Sequence, residues 1–178
     1  TKVTGEACPH HFTLTDKEVL SLDTNFKMNP PLRSGKDVEA IKRGLKEGII
    51  DVIATDHAPH QKYEKDTGFV EAPFGVVGLE TALPIAVTEL VDGGWLTPME
   101  LIEKLTTNPA RILGIDKGDI SVGKVADVTI IDPSIEYRID VENFVSKSKN
   151  SPFHNRLVKG RVEYTIVNGK VVYGRDGF

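Results

Sequence analysis

Asp51-Val52-Ile53-Ala54-Thr55-Asp56-His57-Ala58-Pro59-His60 is a short apolar run that ends abruptly in an acid and two histidines. Val52, Ile53 and Ala54 read as a buried strand. Asp56 therefore falls just past its carboxyl end, where parallel α/β sheets and barrels carry their chemistry. Pro59 continues neither a helix nor a central strand, so the histidines belong to a constrained loop. Carboxylate and imidazole in such a place suit a divalent metal or a proton transfer. The same residues in an ordinary loop would cap a turn and bond backbone, and the stretch alone leaves both readings open.

Working back from this strand, Ser34-Gly35-Lys36-Asp37 starts a helix whose apolar face is Val38, Ile41 and Leu45, at i, i+3 and i+7. Gly48 is a natural residue to stop it. Earlier still, Val3 to Ala7 is a strand candidate, with Glu6, Cys8, Pro9, His10 and His11 as a polar cluster at its end. Thr15 and Glu18 have capping-box spacing, which predicts a short helix through about Leu20. In Met28-Asn29-Pro30-Pro31-Leu32-Arg33 the adjacent prolines stiffen an extended backbone that presents Asn29. Strand, helix, stub, helix, strand is the alternation of βα repeats.

Working forward, Gln61 to Val77 is charged, aperiodic and broken by Gly68, Pro73 and Gly75; it is either an active-site edge or a disordered surface loop. Gly78 to Leu90 reads as a buried helix kinked at Pro84. Thr97-Pro98-Met99-Glu100 is a helix start, and Asn108 to Leu113 a further short helix ended by Gly114. From Gly118 the pattern becomes β: Val125 to Ile131, with Glu136 to Ile139 able to pair with it, then Arg161 to Val167 and Lys170 to Tyr173. The last two flank Asn168-Gly169, the signature of a type I′ hairpin.

A chain of 178 residues, 39% hydrophobic and 27% charged, has enough apolar material for a core. Its formal charge of -4 and scattered basic residues argue against nucleic acid as a partner. No apolar run reaches membrane-spanning length. Cys8 is the single cysteine, so neither an internal disulfide nor a cysteine-based zinc site is expected. A soluble, cytoplasmic protein is expected. The opening Thr1-Lys2-Val3-Thr4, entering a strand at once, suggests a piece of a longer chain.

Four stretches, taken in order, resemble the C-terminal half of class I dihydroorotases in the amidohydrolase superfamily. They are Glu6 to His11, Lys27 to Arg33, Ala54 to His60, and Pro73-Phe74-Gly75-Val76-Val77-Gly78-Leu79-Glu80-Thr81. Asn108 to Gly114, Gly123 to Asp127 and Ser146 to Phe153 are similar to that superfamily's last helix and following β-sandwich. The resemblance implies an α/β fold: residues 1–113 as the last strands and helices of a (β/α)8 TIM-type barrel, and residues 114–178 as part of a composite β-sandwich.

The resemblance also implies roles. Asp56 matches the aspartate that binds the more buried ion of a binuclear zinc centre and carries a proton from the bridging hydroxide to the leaving ring nitrogen. Asn29 and His60 match substrate-contacting positions, His60 facing the carboxylate of dihydroorotate. Phe74 and Gly75 match the loop that holds the pyrimidine ring. His10, His11 and Glu6 fit support of a site better than metal ligation, and His57 a structural task. The implied reaction interconverts N-carbamoyl-L-aspartate and L-dihydroorotate in pyrimidine biosynthesis.

The family's other zinc ligands precede the matched part, and a barrel of this kind needs roughly 250 residues. The chain alone is therefore expected to bind no catalytic zinc and to hydrolyse nothing. Open barrel edges favour a homo-oligomer. The competing readings are allantoinase, a dihydropyrimidinase-like amidohydrolase, or a non-catalytic scaffold that binds aspartate transcarbamoylase, a partner of some family members.

Overall fold

The computed structural model describes residues 3–175 and 177; Thr1 and Lys2, at the start of the expected first unit, and Asp176 and Phe178, at the end of the second, lie outside them. Two strands, β1 (Glu6–Ala7) and β2 (Val52–Ile53), pair in parallel with Glu6 opposite Val52 and Ala7 opposite Ile53. The crossover between them holds two 3-10 turns, Pro9–Phe12 and Asp16–Ser21, a third at Thr24–Phe26, and helix α1 (Gly35–Lys46). Both expected strands are shorter than their apolar runs: Val3 and Thr4 are exposed beyond the pairing, and Ala54 contributes only its amide, to the Ala7 carbonyl at 3.1 Å. The expected helix after Thr15 is a 3-10 turn closed by the Thr15–Glu18 capping box. Helix α1 opens on the Ser34–Asp37 box, buries Val38 and Leu45, and is followed by Gly48 at φ 72.

After β2 the chain makes one turn of helix, α2 (Lys62–Lys65), then α3 (Ala82–Ala86), which widens into a π-helix at Val87–Asp92. The Thr88 hydroxyl donates back to the Pro84 carbonyl at 2.7 Å, and the expected kink takes the form of a change in helix pitch. Helix α4 (Pro98–Leu105) begins as read, with Thr97 capping Glu100 and Pro98 in the first turn. Helix α5 starts one residue earlier than expected (Thr107–Leu113) and stops at Gly114, φ 66.

The tail is one antiparallel sheet ordered β3 (Val128–Arg138), β4 (Leu157–Val167), β5 (Lys170–Gly174). Glu136 does not pair back onto Val125–Ile131 as the sequence suggested. Both segments belong to β3, and both pair with β4, Val128 opposite Ile166 and Glu136 opposite Lys159. Pro133 offers no amide to the ladder, and the Asp132 side chain accepts the Ser134 amide instead, so the strand bulges there and then resumes. Asn168 (φ 50) and Gly169 (φ 75) form the expected hairpin turn.

One core runs through the whole. Phe12, Met28, Leu45, Ile53, Val76, Ile85 and Leu90 share it with Ile139, Phe153 and Val158 from the tail. The helix from Ala82 to Asp92 lies close on β4: a Cβ on Gly160 (φ 90) would come within 2.8 Å of Val87 Cγ2. Lys159 and Arg156 bridge from the sheet to Asp92 and Glu89, and Lys42 of α1 meets Glu89 from the other side, the last at 2.7 Å. Among the described residues no helix is long and apolar enough to cross a membrane.

Candidate functional site

The entry into β2 is fixed before the site begins. Gly5 donates to the Asp51 carboxylate at 2.8 Å, while Lys104 and Asn108 reach across from α4 and α5 to the carbonyls of Ile50 (2.8 Å) and Asp51 (2.9 Å). Asp56, past the end of β2, is exposed and takes the left-handed conformation, φ 48, which a residue with a side chain holds only where its surroundings enforce it. The enforcement is visible on the next residues. His57 Nδ1 accepts the amides of Gly78 (3.1 Å) and Leu79 (3.4 Å), and Ala58 donates to the Val76 carbonyl at 2.9 Å. This fixes His57 as an anchor between two loops, with its ring proton on Nε2 in the neutral form.

The segment 66–77 is an ordered loop laid against the end of β2, and two buried lysines hold it there. Lys27 Nζ donates to Val70 (2.7 Å) and Ala72 (2.6 Å), and Lys65 Nζ to Pro73 (3.0 Å) and Gly75 (3.1 Å). Burial and the like charge of Lys27 pull the Lys65 pKa down to about 8, against a weaker opposing effect from Asp23. The Lys27 ammonium also lies 4.6 Å from the centre of the Phe74 ring, leaving that ring 56% exposed. Gly75 is required here: its φ is 114, and a Cβ would sit 2.5 Å from that of Ala58.

His60 and Asn150 close the network. His60 Nε2 lies 2.9 Å from the Phe74 carbonyl and Nδ1 3.7 Å from Glu64. Asn150, from the tail, accepts the His60 amide at 3.2 Å and donates to Ala58 (3.0 Å) and Gly75 (3.2 Å). Its own carbonyl takes the Val77 amide at 2.9 Å. Of the residues singled out in the sequence, His60, Phe74 and Gly75 are thus brought into direct contact. Asn29 stands exposed next to a cis bond to Pro30, whose carbonyl lies 2.8 Å from His11 Nε2.

At the end of β1, the donor atoms of Cys8, His10 and His11 lie within 4.8 Å of one another. Burial, then the charges of Asp56 and Glu6, pushes the Cys8 thiol up to about 12. Burial, then His11, pushes His10 down to about 3. His10 is 3% exposed, and its Nε2 has no hydrogen-bond partner. Tested against this geometry, the zinc pair implied by the resemblance does not fit the chain's own residues. Among the described residues Cys8, His10 and His11 are the only three potential ligands so close together, and Asp56 is not in the group.

Lys27, Lys65 and Asn150 were not singled out as functional from sequence. Lys27 and Asn150 lie inside quoted motifs but resemble ordinary surface residues. Only the apolar surroundings of Lys27, Met28 on one side and the loop on the other, hint that its ammonium is enclosed.

The Amidohydrolase family profile matches residues 4–172. The chain is 56% identical over 171 residues to a dihydroorotase of Pelotomaculum thermopropionicum and 54% identical over 171 residues to one of Acetivibrio thermocellus, in each case covering 96% of this chain. It spans 40% of the length of both relatives. Among solved structures it superposes on the L-hydantoinase (dihydropyrimidinase) of Arthrobacter aurescens with a TM-score of 0.92 at 33% identity, over 97% of this chain and 40% of that one. The dihydropyrimidinase of Brevibacillus agri gives a TM-score of 0.91 at 28% identity, over 99% and 40%.

Proposed function

The chain belongs to the amidohydrolase family, and on that premise we propose that it is the C-terminal part of a dihydroorotase, hydrolysing a cyclic amide once the remainder is supplied. The observation that carries this reading is 56% identity to a dihydroorotase, and the contact of His60 with Phe74 beside Gly75, on the loop laid against the end of β2, supports it. In this reading residues 1–113 are the last strands and helices of a TIM-type barrel and residues 114–178 part of a composite β-sandwich. Zinc is the metal, with Asp56 as this chain's one ligand to the catalytic centre and the other ligands outside the chain.

Asp56 is the group that holds and moves the proton. It is exposed at the strand end, and a carboxylate within reach of an attacking water and a ring nitrogen can pass a proton between them. Phe74 presents an aromatic face to the substrate ring, and Gly75 makes the turn that carries it, on a loop that Lys27, Lys65 and Asn150 prevent from drifting. His60 already bonds the Phe74 carbonyl, so it positions this loop as well as offering an imidazole to an anionic carboxylate. Asn29 supplies an amide from a stiff segment. The substrate pair is dihydroorotate and N-carbamoyl aspartate, the location cytoplasmic, and the working form a homo-oligomer, with aspartate transcarbamoylase as a candidate partner.

A hydantoinase or dihydropyrimidinase reading has the solved structures in its favour, at 33% identity and below. Dihydroorotate carries a carboxylate that those neutral rings lack, which makes substrate choice the test. The chain, reconstituted with the missing part of a dihydroorotase, should turn over dihydroorotate in preference to hydantoin, dihydrouracil and allantoin. Preference for any neutral ring would overturn the assignment.

A further inference from the structure

Beyond the Asp56 site, we propose that Cys8, His10 and His11 form a separate binding site for one borderline-soft divalent cation, zinc by preference. Several observations converge. The three donors come from one stretch, in which Pro9 opens the 3-10 turn Pro9–Phe12, and they lie within 4.8 Å of one another before any ion is present. One thiol and two imidazoles select zinc over magnesium or calcium, which want oxygen ligands.

His10 supplies the independent sign of a missing ligand. Its ring is 3% exposed and Nε2 has no partner, although a buried ring nitrogen ordinarily finds one. An ion would complete it. His11 shows the complementary pattern: Nε2 lies 2.8 Å from the Pro30 carbonyl, the bond that orients a metal-bound imidazole and leaves Nδ1 as the lone-pair donor. The surrounding charge has the right sign, since Asp56 and Glu6 both bear on Cys8.

On binding, a sulfur–metal bond forms as the Cys8 thiol releases its proton to solvent, while both imidazoles enter neutral. The bound unit then carries one net positive charge, which Glu6 and Asp56 face, and water fills the fourth position. Through His11 the ion ties the end of β1 to the Pro30 carbonyl, beside Asn29. The site is structural, and it goes beyond the proposed catalysis without depending on it.

The test is zinc titration of the tag-free chain, followed by zinc-edge X-ray absorption on the loaded wild-type protein. One zinc per chain is expected, with one sulfur neighbour at about 2.3 Å and nitrogen neighbours at about 2.0–2.1 Å. Cys8→Ser and His10→Ala should each weaken binding by more than about 100-fold, whereas Asp56→Asn, which removes a facing charge but no donor of the site, should weaken it by less than about 10-fold. Failure to bind stoichiometric zinc, or a spectrum with nitrogen and oxygen neighbours only, would overturn the site. So would zinc lost in Asp56→Asn but retained in Cys8→Ser. Because the readout is coordination, absence of dihydroorotate turnover in the reconstituted protein would count against the proposed function alone.

Discussion

β1 and β2 pair over two residues each, whereas β3 and β4 run beside one another for eleven residues apiece. The tail sheet is held by its own backbone ladder, which repeats and resumes at Glu136–Lys159, in a shifted register, after the bulge at Pro133. The site has no such ladder. Its loops are joined by isolated backbone bonds, such as Ala58 to Val76, and by polar side chains that are buried or half-buried: Lys104 on Ile50, Lys65 on Gly75, Asn150 on Ala58, and His57, which accepts from Gly78. Two strands of two residues cannot fix loops by pairing, so the precision at the end of β2 rests on groups whose removal leaves buried carbonyls and amides unmatched.

The contrast breaks most sharply at Gly75. Gly75→Ala combines a positive φ with a Cβ 2.5 Å from Ala58, and should cost about 4 kcal/mol in chemical denaturation. A loss under about 1 kcal/mol would mean that the two loops slide freely past each other. Asn150→Ala removes three bonds that join the tail to both loops, and should cost about 3 kcal/mol while exposing the amides of residues 58–60 and 75–77 to hydrogen exchange. In the ladder-held region the penalty should be smaller. Asn168→Ala, at φ 50 in the hairpin turn, should cost about 1 kcal/mol and leave exchange at the site untouched.

The smallest effect sharpens the comparison through pH. Lys65 has a folded pKa of about 8, below its ordinary value of 10.5, so between those values the unfolded chain holds a proton that the folded chain does not. Its contribution to stability therefore rises with pH across that window and is flat below it. Subtracting the Lys65→Met profile from the wild-type profile should leave a positive slope between pH 8 and 10.5. A flat difference would show that the Lys65 ammonium is not enclosed.

The same division governs how much could be read from sequence. Caps, turns and local periodicity act within a few residues, so the Ser34 and Thr97 boxes, the stop at Gly48 and the Asn168–Gly169 hairpin were all legible. The position of Asp56 past the end of β2 was legible because an acid directly after an apolar strand is a local pattern as well. The joining of Glu136 to β3 was not, since it depends on where β4 lies. Lys65 and Asn150 act across 10 and 92 residues, on the carbonyls of Gly75 and Ala58 respectively, and nothing near either residue in the chain announces its partner. The Cys8, His10 and His11 grouping was visible as a polar cluster, but the orphaned Nε2 of His10 was not.

On the proposed function, Asp56 is the proton-carrying carboxylate of a cyclic-amide hydrolase, and dihydroorotate hydrolysis with and without it tests that role. The chain alone should be inactive. The chain reconstituted with the remaining part of a dihydroorotase and zinc should be active, and Asp56→Asn should lower kcat by at least about 1000-fold with little change in KM. Turnover by the isolated chain, or a reconstituted Asp56→Asn protein that works as well as wild type, would contradict the account.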